Sequence, residues 1–389
     1  MSPAIGRVMG RALLAAVCVL AVFAVPVRAG NVETAPDVAA IELPAAAWYL
    51  VGEDGTRLAQ HDAESPRAIA SITKLMTAIV TLEHAQLSDV VTIGTRSSTI
   101  GESTANLRPG EQLTVSELLR AMLVASANDA AEALALHVGE GSTDRFVALM
   151  NAKARALGLG TTTFRNPHGL DESGHLSSAR DAALLVRYAL GIPFIRDALG
   201  RTSVELPDGR VLETTDELLG AWPPLVGGKT GHTADAGWSE AAAARARGVT
   251  VYGSVLGTRG PDERNAALQE LLSFGFDRYR PVAVIDATRV YADADTGYGR
   301  PAVELVAPRT RVLPVYERKA LVERVIAPGV VELPIRRGQR IGRVEVYDGK
   351  RLVASSNLVS ATSVSEPGLV GKLAWYAQRT AHNVWGLVT

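Results

Sequence analysis

The order of strand-like and helix-like segments constrains the fold of this chain more than any other feature. Two apolar runs, 47–51 and 57–59, flank an Asp-Gly pair, which predicts a β-hairpin. Helical spacing fills the middle of the chain. After it come three strand-like runs and a closing helix, over 226–233, 238–244, 248–256 and 262–274. This order predicts an α+β domain in which an antiparallel sheet packs against helices.

End signals define the helices of the middle block. Thr114 and Glu117 form a capping box, in which each side chain satisfies a free backbone N–H at the helix start. The helix that follows breaks near Ser126, and Ser178 caps a later helix. The predicted helices cover 71–84, 114–124, 130–137, 145–157 and 178–188.

Residues 281–362 show a different pattern. Short strand-like runs follow one another there, and no helical spacing interrupts them. An Asp-Gly turn at Asp348 joins the last pair of runs. The pattern predicts a small all-β C-terminal domain of sandwich type, so the expected boundaries are 30–280 for the α+β domain and 281–362 for the all-β domain.

The last segment, 363–389, has the pattern of an amphipathic helix. It carries no acidic residue after Glu366, and one helical face of it is apolar. Aromatic and cationic residues flank that face, namely Trp375, Trp385, Lys372 and Arg379. This predicts a tail helix that lies in a membrane interface. The alternative is a terminal helix that packs on the protein itself.

The first segment, 1–29, has the pattern of a signal peptide. Arg7 and Arg11 precede an apolar run over 12–25, and small residues then stand at the −3 and −1 positions of a cleavage site after Ala29. The run is shorter than the roughly 20 residues of a membrane-spanning helix, although an uncleaved anchor is the alternative. Cys18, the only cysteine, lies in this run, so the mature protein has neither a disulfide nor a thiol nucleophile.

Composition excludes one broad class of function. The chain has 389 residues, of which 47% are hydrophobic and 21% are charged, which suits a globular protein of two domains. Its formal net charge is −1. Nucleic-acid-binding surfaces need a clear basic excess, so we expect no nucleic acid as a partner.

Ser71 and Lys74 form the first candidate catalytic pair. Residues three apart on a helix are surface neighbours, so the lysine amine stands next to the serine hydroxyl. An amine activates a hydroxyl as a nucleophile when it is neutral. A base at neutral pH needs its pKa about three units below the usual 10.4, which is roughly 4 kcal/mol of differential interaction. The pair alone is compatible with chance.

Two further motifs follow in a meaningful order. Ser126 and Asn128 lie at the break between two predicted helices, where a hydroxyl and an amide can bind a substrate amide or relay a proton. Lys229 and Thr230 lie on a predicted strand, which can pair with an extended peptide. S-x-x-K, S-x-N and K-T-G in this order are the signature of serine enzymes that react with penicillin. A second S-x-N sequence, at 355–357, comes after the K-T-G motif and lies in the predicted all-β domain. Its position therefore excludes it as the second motif of the site.

These motifs resemble those of the low-molecular-mass penicillin-binding proteins, the serine-type D-alanyl-D-alanine carboxypeptidases of peptidase family S11. The resemblance covers nearly the whole mature chain, and Ala127 stands where the family more often has Gly. It implies a penicillin-binding or β-lactamase-like transpeptidase domain, a C-terminal all-β domain and a membrane-anchoring tail. The matching segments are 70–77, 126–130, 166–170, 177–181, 228–233 and 334–342.

The resemblance also implies roles for individual residues. Ser71 is the acylated nucleophile, Lys74 is its base, and Ser126 relays the proton to the leaving D-alanine. The backbone N–H groups of Ser71 and His232 form the oxyanion hole. The expected substrate-binding residues are Asn128 for the peptide backbone, and Lys229, Thr230 and Arg180 for the terminal carboxylate.

The implied partners are a peptidoglycan stem peptide ending in D-Ala-D-Ala, β-lactam antibiotics as covalent inhibitors, and a membrane surface. The resemblance implies no cofactor and no metal. With the signal peptide and the tail, it predicts a periplasmic enzyme that is peripherally attached to the outer face of the inner membrane.

Three rival functions remain open. A D,D-endopeptidase performs the same reaction on cross-links, and a non-catalytic peptidoglycan-binding protein would not need Ser71, Lys74 and Lys229. A class A β-lactamase needs a glutamate and an asparagine on the loop before the third motif, and Asp171 and Glu172 show no matching arrangement.

A metal peptidase is a weaker alternative. His168, Asp171 and His175 have a compatible spacing, but loop histidines near glycines are more often structural.

Overall fold

A computed structural model describes residues 20–27 and 41–385. The chain divides into two compact units between Tyr279 and Arg280. Strand β1 (Leu20–Val27) pairs antiparallel with residues 321–328 of the C-terminal unit. This strand lies inside the predicted signal peptide, whose other residues lie outside the described ranges. Cleavage after Ala29 stays a prediction.

The first unit contains both the predicted sheet and the predicted helices. A 3₁₀ turn, Ala70–Thr73, leads directly into helix α1. In chain order the elements are β2 (Ala47–Gly52), β3 (Arg57–His61), α1 (Lys74–His84), β4 (Val90–Thr92), α2 (Thr95–Ser98), β5 (Gln112–Thr114), α3 (Val115–Val124), α4 (Asn128–Val138), α5 (Thr143–Ala156), α6 (Ala179–Leu190), α7 (Pro193–Leu199), β6 (Ser203–Glu205), β7 (Val211–Glu213), β8 (Leu225–Thr233), β9 (Gly237–Ala246), β10 (Val249–Thr258) and α8 (Pro261–Asp277).

Five strands form one antiparallel sheet in the order β3-β2-β10-β9-β8. The predicted hairpin and the three predicted strands are therefore confirmed. Helix α8 packs on one face, where a side chain at Gly253 would meet Leu271 and Leu272. Helix α6 lies on the other face, where Ser254 donates a hydrogen bond to the carbonyl of Ala179. The α+β prediction is confirmed.

The starts of α3 and α6 follow the sequence signals, whereas the helix predicted from residue 71 begins at Lys74. The capping box of α3 is present, with the Glu117 N–H donating to Thr114 Oγ1 at 3.2 Å and the Thr114 N–H donating to Glu117. Ser178 accepts from the Asp181 N–H and caps α6. Helix α1 is central to the core, because its apolar residues from Leu75 to Val80 are fully buried.

The second unit is all-β up to its last helix, as predicted. Strand β11 pairs with β14, and the larger sheet has the order β1-β15-β17-β18-β13-β12-β16. Side chains from both sheets share one hydrophobic core, which includes Val284 and Val344. The elements are β11 (Tyr279–Ile285), β12 (Val290–Thr296), β13 (Val303–Val306), β14 (Arg311–Tyr316), β15 (Leu321–Pro328), β16 (Val330–Val331), β17 (Arg340–Asp348), β18 (Arg351–Ser360) and α9 (Leu369–Trp385). Within the described ranges, no helix is long and apolar enough to cross a membrane.

Candidate active site

Ser71 and Lys74 are in direct contact at the junction of the 3₁₀ turn and α1. The Nζ atom of Lys74 lies 2.6 Å from Ser71 Oγ and donates to the carbonyl of His168 at 2.7 Å. Lys74 is 0% exposed. Burial lowers the pKa of Lys74 well below its usual value, and the nearby cation Lys229 lowers it further. These conditions favour the neutral amine that a base requires.

The turn that carries Ser71 is packed against strand β8 without room for another side chain. A Cβ atom at Gly231 would lie 2.9 Å from the Ile69 carbonyl oxygen and 3.0 Å from the Ser71 nitrogen. Ala70, just before the nucleophile, has a φ of 47°, a left-handed conformation that is unfavourable for residues with a side chain. Glycine at 231 therefore allows the strand to approach the nucleophile closely.

The second motif forms the break between α3 and α4, as predicted. Ser126 has a φ of 62° and is buried in the middle of this break. Asn128 begins α4, and its Nδ2 donates to the carbonyl of Gly101 at 2.9 Å. Its other amide atom, Oδ1, is buried without a hydrogen-bond partner in the described part of the chain. This atom can accept a hydrogen bond from a ligand N–H.

The third motif lies on β8, the edge strand of the sheet. Lys229 is 1% exposed, and burial lowers its pKa to about 8, although the carboxylates of Asp216 and Glu240 act in the opposite direction. The hydroxyls of Thr230 and Thr215 share a hydrogen bond of 2.7 Å. The His232 ring stacks on Trp238, with 4.2 Å between the ring centroids.

The three motifs meet at one cleft. It has a volume of about 460 Å³ and contains residues from all three, with Lys74 and Lys229 buried beside it. The sequence-predicted residues that line it are Ser71, Ser126, Asn128, Thr230 and His232. The structure therefore brings together seven of the eight predicted site residues.

Arg180 is the predicted residue that the structure places elsewhere. Its guanidinium donates to Asp181 at 2.9 Å and lies 3.5 Å from Glu64, and its N–H donates to the Ala63 carbonyl. Ala63 follows β3, which is the sheet edge opposite β8. The Ser178 cap fixes the start of α6 at that edge, and this tertiary placement could not be read from the motif.

Arg264 is a charged cleft residue that the sequence motifs did not predict. It lies in the first turns of α8 and lines the cleft together with Ser71 and Thr230. Its guanidinium lies over the Trp238 ring, 5.8 Å from the centroid. Gly260 at the N-cap and Pro261 as the first residue mark the start of α8, but they do not indicate that Arg264 lines the cleft.

The loop between the second and third motifs supports the site through the backbone carbonyl of His168 and the side chain of His175. His175 Nε2 lies 2.8 Å from the hydroxyl of Thr73, and His175 Nδ1 accepts from the Arg165 N–H at 3.1 Å. Asp171 accepts from the Thr233 hydroxyl at 2.6 Å. Both ring nitrogens of His175 are thus occupied. No group of three or more His, Cys, Asp or Glu side chains is arranged to hold a metal among the described residues.

The fold and this constellation define a class of serine enzymes that use a buried lysine and pass through an acyl-enzyme. The family model of D-alanyl-D-alanine carboxypeptidases matches residues 32–260, and the model of the C-terminal domain of penicillin-binding protein 5 matches residues 279–366. The chain belongs to the D-alanyl-D-alanine carboxypeptidase family of serine peptidases.

Similarity to individual members extends over most of the chain. It is 30% identical to the D-alanyl-D-alanine carboxypeptidase DacA of Escherichia coli over 409 residues, covering 98% of each protein. It is 29% identical to DacF of Bacillus subtilis, covering 78% of this chain and 81% of DacF. The structure of penicillin-binding protein 5 from Haemophilus influenzae superimposes with a TM-score of 0.61 at 26% identity, covering 85% of this chain and 100% of the other.

Proposed function

We propose that this enzyme removes the terminal D-alanine from peptidoglycan stem pentapeptides through an acyl-enzyme on Ser71. The observation that carries the proposal is the 2.6 Å contact between Lys74 Nζ and Ser71 Oγ, made by a lysine that is fully buried. Burial disfavours the ammonium form, so the amine can take the serine proton. Family membership supports cell-wall peptide as the substrate class.

The cleft residues can perform each step of acyl transfer. Lys74 takes the proton of Ser71 as Oγ attacks the carbonyl carbon of the penultimate D-alanine. Two backbone N–H groups, those of Ser71 and His232, stabilise the negative charge on the carbonyl oxygen. Ser126 relays the proton from Lys74 to the leaving amine as the C–N bond breaks. Water then attacks the ester, loses a proton to Lys74 and regenerates the Ser71 hydroxyl.

The terminal carboxylate of the substrate is recognised by cations and a hydroxyl at one end of the cleft. Lys229 supplies charge and Thr230 supplies a hydroxyl on β8. Arg264 takes the role that the sequence assigned to Arg180, because Arg264 lines the cleft and Arg180 pairs with Glu64 elsewhere. Asn128 holds the peptide backbone with its free amide oxygen.

A β-lactam antibiotic would acylate Ser71 in the same way and remain attached. Class A β-lactamase activity is disfavoured by the position of Glu172. This glutamate accepts from Asn166 Nδ2 at 3.0 Å and lines a separate cavity of about 910 Å³. It is not among the residues that line the Ser71 cleft. D,D-endopeptidase action on cross-links remains the second candidate, because it is the same reaction on a larger substrate.

The tail helix is proposed to attach the enzyme to a membrane surface. Leu369, Val370 and Leu373 of α9 are 81%, 81% and 68% exposed. Such exposed apolar side chains on a helix with nearby cations suit a membrane interface. Trp375 packs instead on Tyr298, with 5.4 Å between ring centroids, so the helix is also held by its own unit. Together with the predicted signal peptide, these exposed side chains support the proposal of a periplasmic enzyme attached to the outer face of the inner membrane.

Two incubations test the proposed reaction. A stem pentapeptide should release D-alanine, and labelled penicillin should leave a slowly decaying label on Ser71. The Ser71→Ala variant should lose both activities while keeping its thermal stability. Rapid turnover of penicillin would instead identify a β-lactamase, and the absence of both reactions would identify a binding protein.

A further inference from the structure

Glu240 is a buried acid behind the third motif for which the reaction scheme above has no role. It lies in β9, directly opposite Thr230 on β8. Its side chain is 0% exposed, and neither carboxylate oxygen makes a hydrogen bond to any residue between 41 and 380. Burying a carboxylate without hydrogen bonds opposes folding, so its presence calls for a functional explanation.

The partner of Glu240 is the cleft arginine. Oε2 of Glu240 lies 3.1 Å from Nε of Arg264, and both side chains are buried. On the same edge of the guanidinium, Nε donates to Asn265 Oδ1 at 3.1 Å, and Nη2 donates to Asn265 Oδ1 at 2.7 Å and to Glu217. Glu240 Oε2 therefore contacts this edge without accepting a hydrogen bond from it. Nη1 makes no hydrogen bond within the described part of the chain. Three groups thus fix one edge of Arg264, and its remaining nitrogen is left for a ligand.

We propose that Glu240 is a positioning residue that holds Arg264 so that Nη1 meets the terminal carboxylate of the substrate. Glu240 thereby determines selectivity for peptides with a free C-terminal carboxylate. The inference rests on the proposed function, because it takes the substrate carboxylate to lie beside Thr230. A guanidinium has fixed donor geometry, so anchoring Nε sets the direction of the other donors.

The charges around Arg264 are consistent with a positioning role for Glu240. Asp216 and Glu217 lie near the two cations of the site, Lys229 and Arg264. Burial raises the pKa of Glu240 well above its usual value, and the neighbouring Asp216 raises it further. Both effects favour the neutral carboxyl of Glu240, which contacts Arg264 without cancelling the charge of the guanidinium. Arg264 therefore keeps its attraction for a carboxylate.

The test compares two substrates that differ only at the C-terminus. Peptides ending in D-Ala-D-alanine and in D-Ala-D-alaninamide are hydrolysed by the wild-type enzyme, Glu240→Leu, Glu240→Gln and Arg264→Ala. We expect Glu240→Leu to lower kcat/KM for the carboxylate peptide at least tenfold, mainly through KM, and to leave the carboxamide peptide within about twofold. Glu240→Gln keeps a side chain of the same size with an oxygen beside Nε and should retain most of the selectivity.

Glu132→Leu is the matched control, since Glu132 is also a buried glutamate that pairs with an arginine, Arg96, outside the cleft. It should leave the ratio of the two substrates unchanged. Equal losses on both peptides in Glu240→Leu, or no loss on either, would overturn the positioning role. If Arg264→Ala also left the ratio of kcat/KM for the two peptides unchanged, the proposed carboxylate site itself would be wrong. Failure of the positioning role of Glu240 is therefore distinguishable from failure of the carboxylate site. Thermal unfolding confirms that each variant is folded.

Discussion

The hydroxyl of Thr73 lies 2.8 Å from Nε2 of His175, more than a hundred residues along the chain. Thr73 belongs to the turn that carries Ser71, and His175 belongs to the loop between the second and third motifs. Because the Arg165 N–H donates to Nδ1, the ring is the neutral tautomer with its proton on Nε2, which donates to Thr73. The catalytic turn is therefore attached to the loop through an imidazole that must stay uncharged.

Stability should fall in mild acid for this reason. Burial lowers the pKa of His175 to about 4 and that of His168 to about 3, below the usual 6.5. The unfolded chain then binds protons that the folded chain does not, so stability is lost as the pH falls from 6.5 towards 4. For His175 the loss is about 3 kcal/mol in the free energy of unfolding. Denaturant titrations between pH 7 and pH 4 measure it.

His175→Gln should flatten this pH dependence, and the same change at the exposed His84 should not. An unchanged slope in His175→Gln would show that this histidine does not carry the acid sensitivity.

Lys74→Arg should abolish acylation by penicillin while the protein stays folded. An arginine is always charged at these pH values, so it cannot accept the Ser71 proton. General-base catalysis contributes about 10²–10⁴-fold, and a loss in that range or larger is expected. The measurement is the rate of covalent labelling by fluorescent penicillin. Lys153→Arg, at a lysine that pairs with Glu83 outside the cleft, should label normally. Normal labelling of Lys74→Arg would refute the assignment of the base.

The affinity for carboxylate substrates should weaken in alkali. Burial lowers the pKa of Lys229 to about 8, so this cation is lost as the pH rises through that value. The fall in kcat/KM should then centre near pH 8, because this parameter reports the free enzyme. An arginine keeps its charge at these pH values. Lys229→Arg should therefore move the alkaline fall of kcat/KM to higher pH, whatever happens to the maximum value of kcat/KM. If the fall in kcat/KM stayed near pH 8 in Lys229→Arg, the titrating group would be a residue other than Lys229.

Gly231→Ala should impair acylation more than stability. The new Cβ atom would lie 3.0 Å from the Ser71 nitrogen, so either β8 or the catalytic turn must shift. A misplacement of about 1 Å can reduce the rate by about 10²-fold. Stopped-flow acylation and thermal unfolding measure the two effects. Gly160→Ala, where a Cβ atom would meet nothing within 4 Å, is the control. Equal acylation rates in Gly231→Ala and Gly160→Ala would show that the close approach of β8 to the Ser71 turn is not needed for acylation.

Leu373→Glu should release the enzyme from anionic lipid vesicles without changing hydrolysis of a soluble pentapeptide. The side chain is 68% exposed on α9, and a charge there opposes insertion into the interface. Co-sedimentation with vesicles containing phosphatidylglycerol measures binding. Val330→Glu, at a valine that is 66% exposed on β16, should bind like the wild type. Undiminished binding of Leu373→Glu would place the contact elsewhere.

Local signals in the sequence predict the elements of this fold well, and the motifs predict most of the site. The Thr114–Glu117 capping box, the Ser178 cap and the hairpin turns act between residues close in sequence, so they can be read directly. Arg264 and Glu240 could not be predicted in this way. Arg264 lines the cleft, and Glu240 contacts Arg264, because α8 packs on the sheet at β9 and β10, and no local signal in the sequence indicates this tertiary packing.

The second contact of Lys74 has a consequence for how this active site tolerates mutation. Its partner in the loop is the main-chain carbonyl of His168, and no replacement of the His168 side chain removes that oxygen. Point substitutions along the loop therefore leave the acceptor in place as long as the backbone keeps its path. An insertion or deletion between Arg165 and His175 would move it. The environment of the catalytic amine is encoded in the length of a loop more than in its composition.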